Sequence, residues 1–158
     1  METSTHLVIQ YAAGPTLLHD VVAKLSAEQL DAVPIPGKWS TRQVVCHIAD
    51  FELVYADRMK RVIAEHQPTF FGGDPGVFAA GLAYESRDLR EELDVIESVR
   101  KQMTRILRLL NKRDFERIGH HSDDGPISLE TLLGNVTNHL PHHVAYIEDK
   151  LAALDRDG

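Results

Sequence analysis

Residues 128–154 read SLETLLGNVTNHLPHHVAYIEDKLAAL. On a wheel of about 100° per residue, Leu129, Val136, Leu140, Ile147 and Leu151 fall within roughly 40° of one direction, which predicts a long helix with one buried stripe. His143 lies inside that stripe, His139 sits on its flank one turn earlier, and His142 points toward solvent. An i, i+4 pair sets two imidazoles side by side, and such a pair can bind one metal ion at about 2.0–2.1 Å per bond. The i, i+3 pair of His139 and His142 is disfavoured because His142 faces outward. Pro141, between the two rings, removes the amide that would bond to the Thr137 carbonyl and bends the helix there.

Three earlier segments carry the same helical spacing. The first runs from Thr5 to Leu25, with Leu7, Tyr11, Leu18, Val21, Val22 and Leu25 on one stripe and Gly14-Pro15 as a kink. Ser26-Ala27-Glu28-Gln29 fits a capping box for a short turn of helix, and Pro34 and Pro36-Gly37 then force a loop. The second helix opens on another capping box, Ser40-Thr41-Arg42-Gln43, runs to about Glu65 and is ended by Pro68. Val44, Ile48, Phe51, Tyr55 and Val62 form its inward stripe, with His47 beside it and Cys46 on the other side. Residues Gln67 to Gly81 hold four glycines and two prolines, the composition of a long connection, and such connections are often functional. The third helix is expected from Ser86 to Leu110, followed by an irregular stretch through Gly119-His120-His121 and Asp123-Asp124-Gly125-Pro126. No internal repeat, low-complexity segment or strand is expected. Four helices of about 20 residues predict an all-α four-helix bundle, with residues 1–158 as one domain. The two long connections permit crossovers.

Composition narrows the partners. The net charge of −7, with both signs interspersed, repels phosphate backbones and anionic membranes, so neither nucleic acid nor membrane is an expected partner. No run approaches the roughly 20 apolar residues of a membrane span. The opening Met1-Glu2-Thr3-Ser4-Thr5-His6 has no basic region followed by an apolar one, so no secretory signal is expected. The single cysteine, Cys46, excludes an internal disulfide. The expected compartment is the cytoplasm.

His47 is the third candidate ligand. Three neutral imidazoles from two helices leave coordination positions open, the arrangement of a catalytic rather than a closed structural site. A lone histidine on an apolar face is more often a core residue bonded to a neighbour, and the HxxxH spacing is common. A non-catalytic metal- or small-ligand-binding bundle and a metal-free interaction domain therefore stand beside the enzyme. Asp50, three residues after His47, is a candidate to orient a ligand imidazole or a solvated helix acid. His121, before the last helix, is a candidate general acid or base or an exposed loop histidine. Arg58 is a candidate for a substrate carboxylate, with a structural ion pair favoured. Trp39 is expected to pack against the bundle end, with substrate contact as the lesser alternative, His6, His19 and His66 to be solvated, and Arg87 to Glu92 to form a solvated helical face.

Four stretches together carry a resemblance: Tyr11-Ala12-Ala13-Gly14-Pro15, Pro36-Gly37-Lys38-Trp39-Ser40, Val44-Val45-Cys46-His47-Ile48-Ala49-Asp50 and Asn138-His139-Leu140-Pro141-His142-His143-Val144-Ala145-Tyr146-Ile147. In order and separation the chain resembles the DinB-like family of bacterial metal-binding four-helix bundles. The resemblance implies an up-down-down-up bundle with a long crossover between the second and third long helices. It also implies a metal triad of His47, His139 and His143, the same three that the helical wheel selects. Zinc and nickel are the ions it suggests. Relatives include bacillithiol S-transferases, mycothiol-dependent maleylpyruvate isomerases and proteins described as metal-dependent hydrolases, and homodimers are common among them. The expected function is a metal-dependent enzyme that activates a thiol or water against a small molecule. Transfer of a low-molecular-weight thiol co-substrate is slightly favoured.

Overall fold

The structure, a computed structural model, describes residues 2–157. Met1 and Gly158, the ends of the span expected as one domain, lie outside the described residues. The elements run α1 (Glu2–Val22), α2 (Ala27–Asp31), α3 (Thr41–Ala64), β1 (Thr69–Phe70), α4 (Pro75–Gly81), α5 (Leu89–Leu107), α6 (Lys112–Phe115), β2 (Ile118–His121), β3 (Gly125–Ser128) and α7 (Leu129–Asp157). The long helices α1, α3, α5 and α7 make the expected four-helix bundle. α1 packs on α5 and α7, and α3 packs on the same two. The order round the bundle is therefore α1, α5, α3, α7, with α1 diagonal to α3. Among the described residues no helix is long and apolar enough to cross a membrane.

Both capping boxes form. The Ser26 and Ser40 hydroxyls each accept from the amide three residues on, at 3.2 Å. The Gln29 and Gln43 side chains accept from the serine amides in return, at 2.9 Å. Each such cap stabilises its helix by about 1 kcal/mol. α5 begins later than expected, at Leu89. Asp88 rather than Ser86 caps it, accepting from the amides of Arg90 and Glu91 at 2.8 and 3.1 Å.

The core divides in two along the bundle. One part gathers Tyr11, Met59, Met103, Leu132 and Val136; the other gathers Leu18, Ile48, Ile96, Leu140 and Ile147. Between them lies a polar layer made by Arg100 and Glu52, which are 1% and 0% exposed. Arg100 ties together all four long helices. From α5 its Nε donates to Glu52 Oε1 of α3 at 2.8 Å, its Nη1 to the Tyr11 carbonyl of α1 at 2.9 Å, and its Nη2 to the Val136 carbonyl of α7 at 2.9 Å. The Tyr11 hydroxyl donates to Glu52 Oε2 at 3.4 Å. The Gly14-Pro15 pair explains how a charge is accommodated there. Pro15 has no N–H for the Tyr11 carbonyl four residues back, so that carbonyl is free to accept from Arg100. A Cβ on Gly14 would overlap Arg100 Nη1, so the glycine makes the room.

The expectation of no strand is overturned. β1 pairs in parallel with β2, and β2 pairs antiparallel with β3 from Ile118–Ser128 to His121–Gly125. The two stretches that read as loops supply each other's backbone partners: His120 N–H donates to the Pro68 carbonyl at 2.8 Å and Ser122 N–H to the Phe70 carbonyl at 3.0 Å. Strands of two to four residues are too short for a period of two to register in the sequence. The sheet caps one end of the bundle through Phe70, which belongs to the core.

Candidate metal centre

His47 projects from the second turn of α3, and His139 and His143 from one face of α7 on either side of Pro141. α7 continues through the proline. The His47 and His139 Nε2 atoms are 2.9 Å apart, and the His143 and His139 Nε2 atoms 3.2 Å. The ring centroids are 4.6 to 4.9 Å apart, and the rings meet edge-on. His47 is 4% exposed and the other two are half-buried.

This donor set fits a divalent ion. Two nitrogens on one tetrahedral ion at 2.0–2.1 Å lie about 3.3 Å apart, close to the separations seen. Three neutral Nε2 lone pairs aimed at one point repel, and a single proton can relieve one pair only; a cation between them satisfies all three. All three rings are ready to bind as neutral donors. Burial, slightly opposed by Asp50, pushes His47 down to about 4. Burial and then His143 push His139 down to about 3; burial and then His47 push His143 down to about 4. Among the described residues no other histidine, cysteine or acid joins the cluster.

Packing, rather than hydrogen bonding, holds the rings. The Nδ1 atoms of His47 and His139 are buried without a protein partner. Trp39 packs on His47 with its ring tilted at 5.2 Å between centroids and Phe51 does so at 4.6 Å, with Phe78 of α4 5.4 Å beyond Phe51. Trp39, for which packing against the bundle end was the favoured expectation and substrate contact the lesser one, thus walls the candidate site.

The remaining candidates divide. Asp50 is buried and does not reach His47 Nδ1. Its two oxygens accept from Arg87 Nη1 and Nη2 at 2.9 and 3.0 Å, and Arg87 Nε also donates to Glu92 at 2.8 Å. The solvated face expected for Arg87 to Glu92 is therefore corrected at its two ends, where Arg87 and Glu92 form an ion-pair triad with Asp50. The alternative of a solvated Asp50 falls with it. No local sequence signal links residues 37 apart. Arg58 forms no ion pair among the described residues. It is buried, donates to the Phe71 carbonyl at 2.6 Å and lies over the Tyr55 and Phe70 rings.

His121 stands on β2 rather than in a loop and is half-buried. Its Nδ1 accepts from the Asp123 and Asp124 amides at 3.2 and 3.3 Å, which leaves the proton of the neutral ring on Nε2. It lines a pocket of about 600 Å³ with Arg58, Tyr55 and Phe51, and Phe51 separates that pocket from the imidazole cluster. Cys46 points away as expected, buried against the Tyr84 carbonyl, and burial pushes its thiol up to about 11. His142 is exposed, as are His6, His19 and His66.

The chain is similar to proteins already described. A protein of Oceanobacillus iheyensis named "Putative metal-dependent hydrolase OB0782" is 34% identical over 133 residues, 84% of this chain and 77% of that protein. The Bacillus subtilis protein named "Putative metal-dependent hydrolase YfiT" is 29% identical, over 85% of this chain and 76% of that protein. A solved structure described as "YfiT from Bacillus subtilis is a probable metal-dependent hydrolase with an unusual four-helix bundle topology" matches with a TM-score of 0.91 at 26% identity, covering 98% of this chain and 89% of that chain. The model of the DinB superfamily matches residues 10–147, a span that takes in the polar layer and all three imidazoles, and the chain belongs to that superfamily.

Proposed function

We propose that His47, His139 and His143 hold one divalent ion and that the protein is a metal-dependent enzyme hydrolysing a small molecule. The observation that carries this is the convergence of three neutral Nε2 donors from two helices with no fourth protein donor among the described residues. The names of the relatives favour water as the nucleophile. An all-imidazole set suits zinc or nickel. When bound, such an ion supplies a Lewis-acid charge that makes a nucleophile of water, or of a thiol, at neutral pH.

The chain's own residues do the rest. Trp39, Phe51 and Phe78 exclude bulk water from one side of the imidazoles. Asp50, held by Arg87, does not touch His47; its negative charge nearby favours a cation at the cluster. His121 lines the pocket on the far side of Phe51 and takes the role of proton donor only for a substrate that extends past that ring. Replacing water by a small thiol would give transfer from the same centre, the outcome the family resemblance favours.

The test is metal analysis of the purified protein with p-nitrophenyl acetate turnover. The expected result is about one zinc or nickel per chain, lost together with turnover in His139→Ala and kept in His142→Ala. Protein without stoichiometric metal, or metal retained in His139→Ala, overturns the proposal. In the cobalt form, a spectrum that shifts with a thiol but not with ester substrates would reassign the reaction to thiol transfer.

A further inference from the structure

The turn that delivers Trp39 is Ile35-Pro36-Gly37-Lys38. The Lys38 N–H donates to the Ile35 carbonyl at 3.1 Å and Gly37 has φ +75°, which is the type II pattern with proline and glycine in the central places. This turn sets Lys38 and Trp39 against the face of α7 that carries His143, Tyr146 and Lys150, and together they line a pocket of about 320 Å³. His143 lies in its wall, so a molecule in the pocket touches the imidazole cluster.

Lys150 is the feature that nothing in the fold explains. It is 5% exposed, yet no carboxylate, carbonyl or hydroxyl among the described residues bonds to it. Asp149 also lines the pocket but is exposed and pairs with neither lysine. Burial, and then the charge of Lys38, push the Lys150 ammonium below the usual lysine range. A largely buried lysine whose ammonium meets no protein acceptor carries a desolvation cost, and a second cation nearby adds to it. An anion entering the pocket reverses both effects.

We propose that this pocket binds the anionic group of the substrate, a carboxylate or phosphate monoester, on Lys150 and Lys38, with the apolar body against Trp39 and Tyr146 and the reacting end toward His143. The direction of the reacting end rests on the proposed metal centre; the anion seat stands without it. Lys150 and His143 are seven residues apart, about 10 Å along the helix axis. The lysine stem leans back toward the helix N-terminus. Anion and reacting atom are therefore separated by something on the order of 5–10 Å, the span of a compact acid with one ring or a short chain.

Trp39 is the only tryptophan in the chain, so its emission reports on the pocket. The probes are 3-phenylpropionate, 2-phenylethyl phosphate and the neutral 3-phenylpropanamide, titrated into the full chain both zinc-loaded and chelator-treated. At least one anion is expected to saturate the signal about tenfold more tightly than the amide, in both forms of the protein. Which anion binds tighter identifies the class. Lys150→Met is expected to abolish the preference for the anion without lowering the melting temperature, because methionine keeps the buried apolar stem and removes a partly desolvated charge. An amide that binds as tightly as both anions, or a preference that survives Lys150→Met, overturns the proposal. Charge-selective binding by a protein that takes up no zinc overturns only the metal centre. Zinc uptake without charge selectivity overturns only the anion seat.

Discussion

His139 meets both of its partners through one nitrogen, and all three imidazoles are held neutral well below the ordinary histidine range, at about 4, 3 and 4 for His47, His139 and His143. This has a consequence for stability in the absence of metal. The unfolded chain takes up three protons near pH 6.5, whereas the native fold takes them up only near 3 to 4. Between those limits the unfolded state binds more protons, so stability is full above about pH 6.5 and falls as the pH drops, by at most about 1.4 kcal/mol per pH unit for each ring. Urea midpoints of chelator-treated protein should decline from pH 7.5 to 5, and less steeply in His139→Ala; equal slopes would exclude the rings as the cause. The triad was legible because an i, i+4 pair on an apolar stripe is a one-dimensional pattern, and because His47 flanks a stripe of its own. The wall around it was not: Trp39 reaches His47 through a type II turn, and Arg87 reaches Asp50 across 37 residues, distances that no local pattern encodes.

The four long helices were legible from their periodicity, and two of the starts from reciprocal capping boxes, which are local chemistry confined to four residues. The sheet was not, since β1 and β2 find each other across α4, α5 and α6 and hold only one or two repeats of the strand period. In α1 the sequence signal was clear and its meaning was hidden. Gly14-Pro15 read as a kink, whereas the pair opens a place for Arg100: the proline frees the Tyr11 carbonyl and the glycine clears the guanidinium. Gly14→Ala should therefore destabilise by about 1–3 kcal/mol, the usual cost of overpacking, although alanine is intrinsically the better helix former. Arg100→Met should cost about 3–5 kcal/mol by leaving Glu52 buried and unpaired. In the double variant the methyl group no longer meets the guanidinium, so the combined loss should fall below the sum. Urea denaturation of the four proteins measures this, and strict additivity would mean that the glycine serves some other purpose.

Taken as one molecule, the bundle has two apolar half-cores, and among the polar groups that join its helices two clusters contrast. Arg100 joins all four helices from within and needs nothing added. The imidazole cluster joins only α3 to α7, and does so completely only if a cation occupies it. Global stability should therefore depend on metal through a single contact between two helices. A ligand that binds only the native state stabilises by about 2.7 kcal/mol at a hundred times its dissociation constant. For a chain of this length that corresponds to a rise in melting temperature of about 5–10 °C. Thermal unfolding of the wild-type chain in zinc and in chelator should differ by that amount, and the two curves of His139→Ala should coincide. A zinc-dependent rise that persists in His139→Ala would locate the ion elsewhere. If the wild-type chain showed no rise while metal analysis still found one equivalent bound, zinc would have to bind the unfolded chain as tightly as the native one. Three histidines drawn from positions 47, 139 and 143 of a disordered chain would first have to close a loop of more than 90 residues, an entropic cost that the folded bundle has already met.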